Sequence, residues 1–152
     1  MSAAAELRDM LALTRKYYAR LRALLGQVPP DRLLWRCAPS QLSAFETLSH
    51  VCEAERWYTD LIGGGSRQTA EPAPNHDALQ AALAETEAEM LAFLEGMDED
   101  ALEATTEVPG WWGEGRPQPA RLILMHSLAH KYYHCGQLQA ILHALADTKP
   151  ST

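Results

Sequence analysis

His126, His130 and His134 recur at four-residue intervals within MHSLAHKYYHCGQL, Met125 to Leu138. On an α-helix that spacing makes one stripe, because four residues advance the chain slightly more than one turn. Two neutral imidazoles one turn apart can share a metal ion, as in the HExxH arrangement. All three cannot: His126 and His134 are eight residues apart, roughly 12 Å along the axis at about 1.5 Å per residue. The usable pair is therefore His126 with His130 or His130 with His134, and a further ligand has to come from another helix.

His50 is the candidate for that ligand. It is the only other histidine deep inside a predicted helix; His76 opens the third helix and His143 lies on the far turns of the last. Three protein ligands leave room for water or substrate, which separates a catalytic site from a closed structural one. A dinuclear carboxylate site, the natural competitor in a helical bundle, needs Glu-x-x-His motifs, and the chain has none. Haem lacks both a CxxCH motif and a large aromatic lining. Glu53 is a weak candidate for a general base or an outer partner of an imidazole, and equally a solvent-facing charge. Cys52 and Cys135 adjoin ligand candidates but point about 100° away on a helix, which suits packing. One of Tyr132 and Tyr133 is expected in the core and one at the surface. Gly136 is expected to permit close approach of another helix, and Gln137 to hydrogen-bond a ligand or a helix end.

Four helices have to position these groups. The first is expected from about Ala3 to Leu25, with Leu7, Leu11, Tyr18, Leu21 and Leu25 at helical spacing and Gly26 and Pro29-Pro30 as the stop. Trp35 in the following loop is expected to plug one end of the bundle. The second helix begins after Ser43, which forms a capping box with Glu46, and ends at Gly63-Gly64-Gly65. It presents Leu48, Val51, Tyr58 and Ile62. The third runs from Asn75 or Asp77 to about Glu95, with Glu85, Glu87 and Glu89 facing water. MDEDAL suggests a short turn of helix. The last helix starts with Pro119 in its first turn and runs to about Ala146, with Leu122, Met125, Leu128, Leu138, Ile141, Leu142 and Leu145 as its apolar positions. The connections Gly63 to Asn75 and Val108 to Gln118 are the expected pocket rim, with Trp111 or Trp112 lining it.

The chain has 152 residues, enough for a single domain over 1–152 with a proper core. Abundant Ala, Leu and Glu and few β-branched residues favour an all-α protein, with a four-helix bundle as the leading architecture. A net charge of -7 without a basic stripe argues against nucleic acid. No run of apolar residues is long enough to span a membrane. Three cysteines without a CxxC pair argue against disulfides and fit reduced thiols in a cytoplasmic protein.

LSHVCEAERWY around His50, followed far downstream by HSLAHKYYHCGQL, resembles the DinB/YfiT-like superfamily. The resemblance spans nearly the whole chain, including the Trp35 loop and the closing His-x-x-x-His-x-Gly-Gln. It implies a four-helix bundle with a long crossover, up-down-down-up, often forming homodimers. It also implies one divalent metal held by three histidines, which carry over to His50, His130 and His134 and leave His126 as a neighbour. Relatives include transferases and isomerases that use low-molecular-weight thiols, and others described as metal-dependent hydrolases. The family's usual basic residue after the second ligand of the pair, often Arg, is Cys135 here, a departure from the family pattern that carries over no substrate contact at that position.

The expected function is activation of a thiol or water by a divalent ion for S-transfer or hydrolysis on a small molecule. Zinc leads, with nickel or iron as alternatives, because imidazole suits all three. The alternative is a non-catalytic stress-response protein that binds its metal in a closed shell.

Overall fold

Four long helices pack lengthwise in the computed structural model, which describes residues 2–66, 70–109 and 116–148. They are α1 (Ala3–Leu25), α2 (Ala44–Gly63), α3 (His76–Glu95) and, after a short α4 (Glu99–Glu103), α5 (Ala120–Asp147). A two-residue antiparallel bridge joins β1 (Thr105–Thr106) to β2 (Gln118–Pro119), pairing Thr105 with Pro119 and Thr106 with Gln118. Pro119 therefore sits in the bridge and caps α5 rather than filling its first turn.

The helix ends follow from local chemistry. Ser43 Oγ accepts the Glu46 N–H while the Glu46 carboxylate accepts the Ser43 N–H, so the predicted capping box is formed. The Ser43 backbone bond, with Arg36 beside it, holds the Glu46 carboxyl at about 2. Asn75 caps α3 through the Ala78 N–H, and Asp98 caps α4 through the Ala101 N–H. Gly64 ends α2 at φ +70°, a left-handed conformation that a side chain would strain.

Cross-helix pairs give the helix directions. Glu6 meets Arg121 and Arg20 meets Gln139, so α1 and α5 run the same way. His50 meets His130 while Glu55, further along α2, meets the earlier Ser127, so α2 opposes α5. Arg22 meets Glu87 and Arg15 meets Glu95, so α3 opposes α1. The four long helices thus run up-down-down-up.

Tyr18, Leu21, Leu48, Val51, Leu83 and Leu138 anchor the main apolar core, and Trp35 packs half-buried against it. Met10, Met90, Leu94 and Leu124 anchor a second cluster. Each such side chain contributes roughly 1.5–3 kcal/mol by leaving water.

Several positions depart from the sequence reading. Tyr132 and Tyr133 are both exposed, as are Leu122 and Met125, because the buried stripe of α5 passes instead through Ile123, Leu124, Ser127, Lys131, His134 and Leu138. Glu87 and Glu89 do not simply face water: Glu87 pairs with Arg22 and Glu89 with Arg56 at 2.8 Å, tying α3 to α1 and α2. Gly136 has nothing within 4 Å of where a Cβ would stand, so no helix approaches it among the described residues. Trp111 and Trp112, and part of the Gly63 to Asn75 connection, lie outside the described residues. Among the described residues no helix is long and apolar enough to cross a membrane.

Candidate metal centre

The antiparallel contact between α2 and α5 brings three imidazoles together. His130 Nε2 lies 3.0 Å from His50 Nε2 and 2.9 Å from His134 Nε2. The potential ligand atoms of the three residues all lie within 4.8 Å of one another. His126 stays outside this group, its ring stacked 6.5 Å from that of His130 and edge-on 5.7 Å from that of Tyr58. His134 is buried, His130 half-buried and His50 exposed, so the cluster opens to solvent on the α2 side.

Hydrogen bonding sets the tautomer of His134. Its Nδ1 lies 2.6 Å from Gln137 Oε1, and Gln137 Nε2 donates to the Tyr133 hydroxyl at 3.0 Å. With the amide oxygen facing the ring, Nδ1 carries the proton and Nε2 presents a lone pair. The helix or ligand role expected for Gln137 is thus a bond to a candidate ligand.

The donor set fits a cation. A neutral imidazole Nε2 is either a donor or an acceptor, and a single N–H on His130 cannot point at both His50 and His134. The buried His130 Nδ1 has no hydrogen-bond partner among the described residues. Convergent nitrogens that cannot satisfy one another are what a soft-to-borderline divalent ion accepts. Electrostatics point the same way. Burial, reinforced by His134 and His50, lowers the His130 pKa to about 3. Burial also lowers His134, against the Gln137 hydrogen bond. Both rings are therefore neutral near pH 7, the form a ligand requires.

Glu53 is exposed on α2 and lines the cleft toward α3 together with Ser49, Cys52, Arg56 and Glu85. Cys52 and Cys135 are buried, and burial raises both thiols. They pack, as their helical positions suggested.

A second polar cluster between the same two helices escaped the sequence reading. Glu55 and Lys131 are 1% and 0% exposed. Lys131 Nζ bonds Glu55 Oε2 at 2.5 Å and Ser127 Oγ at 2.7 Å, and Ser127 Oγ donates to both Glu55 oxygens at 3.1 and 3.0 Å. Burial pushes Glu55 up and Lys131 down, and the charge of each partner opposes that shift. The signal was present. Glu55 falls in the stripe Leu48, Val51, Tyr58, Ile62, and Lys131 in the stripe Leu124, Ser127, Leu138, where a charge is out of place.

The family model for the DinB superfamily matches residues 12–138. The chain belongs to the DinB superfamily. No curated protein matches the sequence. Solved structures show the same fold. A DinB-like protein from Bacillus subtilis is similar at a TM-score of 0.76 and 15% identity, over 95% of this chain and 96% of that one. A DinB-like protein from Bacillus cereus is similar at 0.75 and 16%, with coverages of 95% and 96%. A mycothiol-dependent maleylpyruvate isomerase is similar at 0.67 and 18%, over 96% of this chain and 71% of that one.

Proposed function

We propose that the chain binds one divalent metal ion through His50, His130 and His134 and acts on a small molecule by S-transfer or hydrolysis. The observation that carries this reading is the convergence of three Nε2 atoms, with two of the rings held neutral. Zinc is the leading metal, with nickel or iron as alternatives. An ion held there would supply Lewis acidity, favouring the ionised form of a thiol or water bound beside the histidines. The protein's own part is to orient His134 through Gln137, to keep His130 and His134 neutral and to leave the His50 edge open to solvent.

Superfamily membership supports the metal, and the likeness to a mycothiol-dependent isomerase supports a low-molecular-weight thiol as co-substrate. Glu53 is the candidate for a base, and it lines the α2–α3 cleft with Ser49, Cys52, Arg56 and Glu85. Three free cysteines suit the reducing cytoplasm. The exposed face of α5 with Leu122, Met125 and Tyr132 is the surface we assign to the expected homodimer.

Metal analysis of the purified protein beside His50→Ala, His130→Ala and His134→Ala, with a thiol titration of each, tests the proposal. About one ion per chain is expected in the wild type, with loss of metal and of metal-dependent thiol binding in each variant. A wild type that takes up no divalent ion, or variants that keep it, would overturn the proposal. Unfolding on chelation, with no thiol or water consumed, would favour the non-catalytic stress-response alternative.

A further inference from the structure

We infer that Glu55, Lys131 and Ser127 are positioning residues for the histidine cluster, fixing the axial register of α2 against α5 so that His50 arrives on His130 and His134. This rests on the metal reading above only for its metal readout; the register itself is a property of the chain.

The apolar contacts between α2 and α5 do not specify register sharply, because hydrophobic attraction is non-directional. Hydrogen bonds are directional and short-ranged. A slide of one residue moves a helix about 1.5 Å along its axis, enough to break a contact of normal length. In the α2–α5 interface the Glu55 carboxylate reaches two groups on successive turns of α5, Ser127 Oγ and Lys131 Nζ. Those two are themselves bonded at 2.7 Å. A register shift in either direction would strand a charge among groups that exclude water, including the Tyr18 ring, whose centroid lies 5.8 Å from Nζ. Buried ion pairs add little net stability over apolar side chains of similar volume; their best-attested use is to select one arrangement among several.

The position of the network matters as much as its chemistry. Lys131 directly follows His130, and Ser127 precedes it by three residues. Glu55 follows His50 by five residues on a continuous helix. Each helix is rigid over that distance, so the register set at Glu55–Lys131 is the register at His50–His130. The cluster alone holds it only loosely, because His130 Nε2 can make just one of its two contacts, at 3.0 and 2.9 Å, a hydrogen bond at a time.

The test replaces the network with apolar side chains, Glu55→Leu with Lys131→Met, and takes two readouts beside the denaturation midpoint. One is the nuclear Overhauser contact between the His50 and His130 ring protons in metal-free protein. The other is Co²⁺ affinity and the Co²⁺ absorption spectrum. With the midpoint kept, the ring contact is expected to weaken or vanish, and Co²⁺ affinity to fall about tenfold or more with an altered spectrum. The charge-swapped pair, Glu55→Lys with Lys131→Glu, should recover part of both. An unchanged ring contact and an unchanged Co²⁺ spectrum in the folded apolar variant would overturn the inference. Should that variant fail to fold, Glu55→Asp is read the same way: one methylene shorter, its carboxylate cannot reach both partners in the present register. Wild-type protein that binds no Co²⁺ refutes the metal reading alone, since the ring contact reports on register without any ion.

Discussion

Two polar clusters lie about a turn apart between α2 and α5, and they are opposites. The Glu55–Lys131–Ser127 cluster is shut away from water and internally paired: each charge has an opposite charge, and all three side chains bond one another. The histidine cluster is half open, and His130 Nε2 cannot hydrogen-bond both of its neighbours at once. Polar residues in a bundle core are therefore not one category. A satisfied cluster has finished its chemistry in folding, and an unsatisfied one still offers lone pairs to something else.

Breaking the closed cluster should have the largest effect. Lys131→Met leaves the Glu55 carboxylate buried without its countercharge and should cost about 3–5 kcal/mol in chemical denaturation. Adding Glu55→Leu should return most of that loss, since no charge then remains to be stranded. A single substitution that costs under about 1 kcal/mol would erase the contrast between the clusters. In the open cluster, Gln137→Ala removes the acceptor of His134 Nδ1, and about 1 kcal/mol is expected from the same measurement. The smallest effect near neutral pH is expected from His130→Gln, and it should grow with acid. The folded-state pKa of His130 is about 3, below the ordinary 6.5. Above 6.5 neither state holds the proton. Between 6.5 and about 3 the unfolded chain binds it and the folded chain does not, so stability falls as pH drops through that window. Metal-free His130→Gln should show a shallower acid loss than wild type, and parallel curves would mean that His130 is not kept neutral.

The long helices were legible because their signals are local. Ser43 and Glu46 announce the start of α2 within four residues, and the glycines after Ile62 announce its end. His50, His130 and His134 were legible because imidazole spacing limits which rings can meet, although choosing His134 over His126 took the family resemblance. The Glu55–Lys131 pair was missed because a lone Glu or Lys in a helical sequence is almost always a surface residue, and only the facing helix shows that it is matched. One of Tyr132 and Tyr133 was misread as a core residue for a related reason. Large aromatic rings suggest burial, but the buried stripe of α5 belongs to Lys131 and His134 on either side of them. The β1–β2 bridge has too few residues for any alternating pattern to reveal.

The three thiols are unequal. Cys37 is exposed, at the edge of a small pocket it shares with Thr47 and Gln137, while Cys52 and Cys135 are buried. A thiol-modifying reagent would thus meet one fast site per folded chain. Its slow capture of the other two would be paced by how often the helices part, making Cys52 and Cys135 built-in clocks for opening between α2 and α3 and along α5.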